Sequence, residues 1–588
     1  MSSVSVIMVS YHTGPALWLG IQAVFADPEC RELILVDNGN VPGVVVRLQA
    51  LVEKEQRFKL ITGHGNVGFA KGCNMGARAA AGDTLLLLNP DSMLPEGGLT
   101  RATEILRRYP ENTLAGCYLI NPDGSEQRGC RRAILTPENA VMESLGLKRG
   151  LNFDGTPMPK AAHEVPAISG AFMMLSRSFY TRLGGLDEGY FLHMEDMDFC
   201  MRVQKAKGKI ICMPEVKVIH FRSTSEIASA IVERHKTRGF IRYINTHFSG
   251  QYSRAALAVL SAGIWLRYLL KLIIGTVDRA FVQPLDAKRE VARLVLLHRL
   301  VRFGEQNDSL RGKTILVAGG SGQVGLCVVG KALARGARVI ATYNTTRIAF
   351  SHPNLEWVQC DLSKSWPGLK ADALIYTSPL ELLPPRLEGI LDSGITRVIA
   401  FGSTSMFAKI DTRNTAELKS AEAQIAKIAS EKNGHVTILR PTMAYGVGLD
   451  NNITRLADTV RRFGALAVYG KANGRRHPVQ AEDLADAVLG IIGNPATYGK
   501  AYNLGGRQIM TYMTILILLF QYMGKPPRIF RPPCFPLLLH ALGKLYQLRH
   551  VHADIARSMN EDMVFPIEDA INDFGYRPKG FLEGDAVL

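Results

Sequence analysis

The sequence predicts an α/β protein built from two doubly wound, largely parallel sheets. Short apolar strands alternate with helical stretches over residues 4–100, and the same alternation restarts at Lys313. The placement of the chemistry points the same way. Asn89-Pro90-Asp91 closes the run Leu85-Leu86-Leu87-Leu88, and Gly319-Gly320-Ser321-Gly322-Gln323-Val324-Gly325 follows the strand Thr314-Ile315-Leu316-Val317. Open α/β sheets bind their ligands at such strand ends. At 588 residues the chain exceeds one core, and 47% hydrophobic with 21% charged residues excludes bulk disorder.

In the first half, Val4–Val9 reads as a strand, Ala16–Phe25 as a helix and Leu33–Val36 as a strand ending at Asp37-Asn38. Phe58–Thr62 is a strand, Ala70–Ala81 a helix and Thr84–Leu88 a strand. Ala171–Leu175 and Val216–His220 read as strands on either side of the acidic segment Glu195-Asp196-Met197-Asp198. In the second half, a helix over Leu326–Ala334 leads to the strand Arg338–Tyr343. Leu355–Gln359, Ala373–Tyr376 and Arg397–Phe401 continue the parallel set. The apolar stretches Met513–Tyr522 and Phe535–Leu545, separated by prolines, read as a small substrate-covering lobe.

Residues 251–312 differ in character and read as an apolar and basic helical linker between domains 1–250 and 313–588. About eleven apolar residues precede Arg267, short of the ~20 that span a bilayer. Trp265 and Tyr268 beside Arg267 and Lys271 suit an interfacial helix; an interdomain packing helix is the alternative. The net charge is +16, with no zinc-finger, RRM or basic-helix pattern, which favours peripheral contact with an anionic membrane over nucleic acid. Nine scattered cysteines without CxxC spacing argue against structural zinc and for a reducing compartment. Met1–Val9 reads as a first strand, not a signal peptide. The expected location is cytoplasmic, at the inner face of the cytoplasmic membrane.

A sugar nucleotide loses a diphosphate on transfer, so its site must neutralise growing negative charge. A divalent cation held by hard oxygen ligands does this, Mg²⁺ or Mn²⁺ by preference. Asp91, at a strand end, is the first candidate ligand, and His220, ending a later strand, the second. The attacking hydroxyl needs a carboxylate base. Glu195, Asp196 and Asp198 are the candidates, Asp196 preferred and Glu195 next.

The collinear series Val36-Asp37-Asn38-Gly39-Asn40, Asn66-Val67-Gly68-Phe69-Ala70-Lys71-Gly72-Cys73-Asn74-Met75-Gly76, Asn89-Pro90-Asp91, Gly184-Gly185-Leu186-Asp187-Glu188 and Glu195 through Arg202 resembles inverting GT-A glycosyltransferases of the rhamnosyltransferase-like branch. The resemblance covers roughly residues 4–250. It implies a GT-A nucleotide-diphospho-sugar transferase fold, a UDP- or dTDP-sugar donor and a glycan or lipid-linked acceptor. Asp37 and Asn38 would touch base or ribose, with Asn66, Gly68, Lys71, Asn74 and Asn89 also lining the donor. Asp91 and His220 would hold the metal, and Asp196 would deprotonate the acceptor. The usual D-x-D is N-x-D here.

The glycine turn at 319–325 follows a strand and opens a helix, so the amides of Ser321–Val324 can meet a pyrophosphate. The cofactor contacts predicted there are Gly319, Gly322, Gln323, Val324 and Gly325. The ribose-reading acid is absent: the next strand ends Tyr343-Asn344-Thr345-Thr346-Arg347, and Arg347 would tolerate a 2′-phosphate. NADP is therefore favoured over NAD. Cys360-Asp361-Leu362, Phe401-Gly402-Ser403-Thr404-Ser405, Leu439-Arg440-Pro441-Thr442-Met443-Ala444-Tyr445-Gly446 and Arg476-His477-Pro478-Val479 resemble extended short-chain dehydrogenase/reductases of the NAD-dependent epimerase/dehydratase group. The resemblance covers roughly residues 313–580 and implies a Rossmann fold with a small substrate lobe. Asp361 would reach adenine, Ser403 would polarise a carbonyl, Lys419 would grip the ribose, and Arg440, Tyr445 and Arg476 would contact substrate.

The family's Tyr-x-x-x-Lys appears as Thr415-Ala416-Glu417-Leu418-Lys419. A threonine hydroxyl is a poor acid or base near neutrality, so Tyr445 or a water would have to relay the proton. The expectation is a bifunctional enzyme of bacterial surface-polysaccharide synthesis, its second half reducing or epimerising a nucleotide sugar. The alternative makes that half a non-catalytic binding or docking module.

Overall fold

The structure is a computed structural model that describes residues 4–139, 152–153, 155–221, 229–281, 285–345, 347–364, 366, 368–407, 413–532 and 557–584. The run Phe535–Leu545 lies outside the described residues. Two compact units divide the chain, Met1–Val291 and Ala292–Leu588. The helix Arg254–Phe281 belongs to the first, and most of the helix Leu285–Phe303 to the second.

The first unit is GT-A-like. Its strands are β1 (Val4–Ser10), β2 (Cys30–Asp37), β3 (Phe58–Ile61), β4 (Thr84–Leu88), β5 (Ser92–Met93), β6 (Thr113–Ile120), β7 (Arg131–Arg132), β8 (His163–Glu164), β9 (Ala167–Ile168), β10 (Phe172–Ser176) and β11 (Lys209–His220). The main sheet runs β3-β2-β1-β4-β10-β6-β11-β5, with β8 on β11. β1, β2, β3 and β4 are parallel, while β10 lies antiparallel to both β4 and β6. Leu85 to Leu88 are all buried, as a strand covered on both faces requires. The helix Phe69–Ala79 lies close on the sheet because its packed face is made of small residues. A Cβ at Gly76 would stand 2.5 Å from Ile7 Cγ2. β11 is longer than the sequence suggests and shifts register against β6 between Met213 and Lys217, at Pro214.

The second unit is a Rossmann-type sheet. Strands β12 (Thr314–Ala318), β13 (Arg338–Tyr343), β14 (Leu355–Gln359), β15 (Ala373–Tyr376), β16 (Arg397–Phe401) and β17 (His435–Pro441) are followed by β18 (Ala444–Tyr445), β19 (Leu466–Ala467), β20 (Arg475–Arg476), β21 (Val479–Gln480) and β22 (Ala501–Leu504). The parallel sheet runs β14-β13-β12-β15-β16-β17-β22, so the order reverses beside β12, where doubly wound sheets place dinucleotides. The helix Leu285–Phe303 is tied to this unit by charge. Its Arg299 pairs with Glu482, while Lys331 and Arg335 at the end of the helix Gln323–Ala334 lie 2.7 and 2.8 Å from Asp486.

Candidate active sites

At the end of β4 the chain turns through Asn89-Pro90-Asp91, and β5 pairs with the end of β11, setting Ser92 opposite His220. This pairing carries His220 Nε2 to 3.1 Å from Asp91 Oδ1. His220 Nδ1 lies 2.7 Å from Gln127 Oε1, a carbonyl oxygen that only accepts, so Nδ1 donates and Nε2 is the nitrogen turned to Asp91. The Asn89 amide nitrogen is 3.3 Å from the same Nε2. A ring nitrogen and a carboxylate oxygen this close share either a proton or a cation, and a divalent cation fits that donor pair. Among the described residues no group of three or more His, Cys, Asp and Glu gathers. Further ligands of such an ion would be substrate oxygens or water.

The acidic segment reaches the same sheet edge. Asn89 N donates to Ala171 O at 2.9 Å, and the adjoining Gly170 N donates to Asp196 Oδ2 at 2.9 Å. The helix Glu195–Lys205 starts directly after two residues in the left-handed region, His193 at φ 68° and Met194 at φ 74°. Arg132 Nη2 donates to Asp196 Oδ2 at 2.6 Å, and Met197 N to Oδ1 at 2.7 Å. Burial works against the Asp196 charge, yet the Arg132 guanidinium and the Gly170 and Met197 amides hold its carboxyl below the ordinary range. Glu195 is in the opposite position. Burial, then the neighbouring Asp196 charge, push its carboxyl up to about 8, and its Oε2 finds no partner among the described residues. Asp198 is buried and bonded to His247 Nε2 at 2.7 Å and Arg202 Nε at 2.8 Å, so it fastens helices together. Arg132 was missed by sequence reading. Only the antiparallel pairing of β7 with β9 sets it beside residues so far along the chain.

Asp37 ends β2 with Oδ1 accepting from Asn40 N at 2.8 Å and Oδ2 from Thr62 Oγ1 at 2.7 Å. Asn38 Nδ2 donates to Gly68 O at 3.0 Å, while its buried Oδ1 has no partner among the described residues. Asn66 Oδ1 accepts from Gly68 N at 3.1 Å, shaping the turn into the next helix. Gly68 has φ +88°, and a Cβ there would sit 2.7 Å from Phe191 O. Lys71 is exposed one turn on. Asn74 departs from its predicted substrate contact. Its Nδ2 donates to Leu186 O at 2.8 Å and Glu188 Oε1 at 3.0 Å, while its Oδ1 accepts from Tyr180 and Leu186 N. With its amide saturated, it pins the helix to the Gly185 turn.

In the second unit the glycine turn has the shape of a pyrophosphate cradle. Gly319 has φ +84°, its N–H donates to Thr342 Oγ1 at 3.0 Å, and a Cβ at Gly325 would stand 2.3 Å from Gly319 O. The helix Gln323–Ala334 therefore approaches β12 more closely than a side chain allows, with Gly322 exposed as its N-cap and Val324 in the first turn. Gln323 Nε2 is buried without a partner among the described residues, a donor left for a ligand at the helix start. Arg347 is exposed beyond β13. Asp361 spends Oδ1 on Ser363 N at 3.0 Å and Ser363 Oγ at 2.6 Å, capping the turn after β14. Ser403 follows β16 and its Oγ accepts from Ser405 N at 3.1 Å. Lys419 is exposed on the helix Arg413–Glu431, one turn beyond the buried Thr415.

Three predicted substrate contacts become structural pins. Tyr445 is fully buried, and its hydroxyl accepts from Leu582 N at 2.8 Å and faces Gly580 O, so it cannot relay a substrate proton. Arg440 directs its guanidinium at Glu422, with Nε 2.9 Å from Oε1. Arg476 is buried and donates to the carbonyls of Arg475, Ser558 and Glu561. Sequence position alone does not distinguish a fork aimed at substrate from one aimed at backbone.

Comparison with known proteins agrees with this division. Residues 5–184 match the glycosyl transferase family 2 profile, and residues 387–505 that of the NAD dependent epimerase/dehydratase family. The N-acetylglucosaminyl-diphospho-decaprenol L-rhamnosyltransferase of Mycobacterium tuberculosis is 26% identical over 252 residues, 40% of this chain and 81% of the relative. Rhamnosyltransferase WbbL of Escherichia coli is 24% identical over 231 residues, 37% of this chain and 83% of that protein. The chain is also similar to the dTDP-glucose 4,6-dehydratase of Bacillus anthracis solved with NAD, at TM-score 0.37 and 14% identity over 46% of this chain and 93% of that one. A UDP-glucose 4-epimerase from Thermotoga maritima gives TM-score 0.37 and 16% identity over 46% of this chain and 96% of that one. Residues 5–184 thus form a glycosyl transferase family 2 domain, and residues 387–505 lie in a domain of the NAD dependent epimerase/dehydratase family, so this one chain joins the two families.

Proposed function

We propose that the first unit transfers a sugar from a UDP- or dTDP-activated donor to a glycan or lipid-linked acceptor in polysaccharide synthesis, inverting the anomeric centre. What supports this reading is the pair Asp91 and His220, together with the hydrogen bonds Asn89 N to Ala171 O and Gly170 N to Asp196 Oδ2 that link the Asn-Pro-Asp turn to the acidic segment. The acceptor class is suggested by the decaprenol-linked substrate in the mycobacterial relative's name. Asp196, kept ionised by Arg132, accepts the acceptor's hydroxyl proton as its oxygen attacks the anomeric carbon. Asn38 Oδ1 and the Gly68 turn orient the donor from the β2 side. Asp91 and His220 would hold Mg²⁺ or Mn²⁺, whose charge offsets that of the departing diphosphate. Asp196→Asn is expected to lower transfer by at least about a thousandfold with donor affinity retained, read as product mass after incubation with a panel of sugar nucleotides. Unchanged transfer would remove Asp196 as the base.

The second unit binds a dinucleotide on the 319–325 turn and reduces or epimerises a nucleotide sugar, with Ser403 and Lys419 facing the reacting end. The lack of a carboxylate after β13, with Arg347 nearby, favours NADP. One observation favours a second reading, binding or docking without turnover: Thr415 replaces the acid–base phenol and Tyr445 is sealed away. Oxidation of NADPH with a 4-keto sugar nucleotide, or conversion of a sugar nucleotide to its epimer with no net cofactor change, either one lost in Lys419→Ala, separates the two.

A further inference from the structure

The helix Arg254–Phe281 packs on the helix Ser229–Phe248 along one stripe, where Leu257 is buried. Its other flank is apolar and open. Val259 is 74% exposed, Leu266 58%, Leu269 and Leu270 51% each, and Trp265 37%. Spacing of three and four residues sets Leu266, Leu269 and Leu270 on adjoining turns. Trp265 and Tyr268 meet edge to face at 5.5 Å. From Arg254 to Val277 the sequence holds no aspartate or glutamate, while Arg254 and Arg267 are exposed. An exposed aliphatic flank of this size needs a cover.

The charge pattern selects the cover. A second copy would bring the same carboxylate-free flank and the same +16 net charge, so like charges would meet. An anionic lipid surface is complementary in both respects: acyl chains accept the leucines, and phosphates accept the arginines. Aromatic rings beside basic residues suit the headgroup layer. No helix among the described residues is long and apolar enough to cross a membrane, so this contact lies along the surface. We infer that the open flank of the helix Arg254–Phe281 docks in the headgroup layer of a membrane rich in anionic lipid, through Val259, Leu266, Leu269 and Leu270 with Arg254 and Arg267 at the phosphates. This inference goes beyond sugar transfer and stands without it.

Co-sedimentation of the full chain with phosphatidylcholine vesicles, with and without phosphatidylglycerol, tests it. Binding is expected only with phosphatidylglycerol, weakening as salt rises. The double variant Leu266→Glu, Leu269→Glu should bind more than about tenfold more weakly at unchanged helicity and melting temperature. No binding by the unaltered chain, equal binding to neutral vesicles, or an unaffected variant overturns the inference. So does a variant that turns a dimer into a monomer while still binding vesicles. Should the double variant misfold, brominated lipid decides: quenching of tryptophan fluorescence that disappears in Trp265→Phe supports the docking, and its persistence there or its absence in the unaltered chain refutes it.

Discussion

Arg132 favours the charge of Asp196, and that charge together with burial keeps the neighbouring Glu195 protonated. The other groups facing the Asp196 carboxylate are His193 on the preceding turn, Cys200 on its own helix and Tyr243 on the helix Ser229–Phe248. Removing the guanidinium should let burial dominate and raise the Asp196 pKa. Arg132→Gln is therefore expected to move the acidic limb of the kcat/KM profile to higher pH by about one unit or more, and Arg132→Lys to restore part of it. An unmoved limb would show that Arg132 serves only to hold the strand. Glu195 carries a stability effect of the opposite kind. Its carboxyl lies near 4.5 in a free chain and about 8 in the fold, so between these values the native state binds the extra proton. Stability thus falls as pH rises through that window, and Glu195→Gln should flatten the slope by on the order of a few kcal/mol. Thermal unfolding at pH 5 and pH 9 compares the two proteins.

Elements differ in how much of them the sequence announces. Thr84–Leu88, Arg338–Tyr343, Leu355–Gln359, Ala373–Tyr376 and Arg397–Phe401 are strands in the structure at the residues their apolar runs predict. Arg338–Tyr343, Ala373–Tyr376 and Arg397–Phe401 lie inside the parallel sheet, where continuous hydrophobic sequence is the signature, whereas Leu355–Gln359 is its edge strand and Thr84–Leu88 sits between parallel β1 and antiparallel β10. β6 was not legible because Ala115 and Gly116 interrupt its apolar run. The structure needs that Gly116, since a Cβ there would stand 2.8 Å from Ile168. Motif residues were legible as a set, but their division of labour was not. Asp196 and Asp198 are two residues apart on one helix, yet partners brought in from β7 and from His247 decide their roles. The glycine turn offers a direct check on element packing. Gly325→Ala would place its methyl against the Gly319 carbonyl, so about 2 kcal/mol or more of stability and most dinucleotide affinity should be lost. Fluorescence titration with NADPH and a melting curve read both.

Across the whole molecule, two separate sheets and cores imply two unfolding events. Calorimetry is expected to resolve two transitions, with NADPH raising only the one that belongs to residues 292–588. A single transition shifted as a whole would show that the units unfold together. On the proposed reading, two nucleotide-sugar chemistries in one chain also set a test of supply. If the second unit makes the sugar that the first consumes, separated halves should lag in forming the final glycan from the precursor nucleotide.

His193 and Met194 give the helix bearing Glu195 and Asp196 its abrupt start, in a backbone region that only glycine and asparagine enter with ease. That bend works like a compressed spring, holding on the order of 1 to 3 kcal/mol per residue against the surrounding fold. Met194→Gly would relax it. The protein should then melt later and transfer sugar more slowly, because the carboxylate's first turn is free to wander.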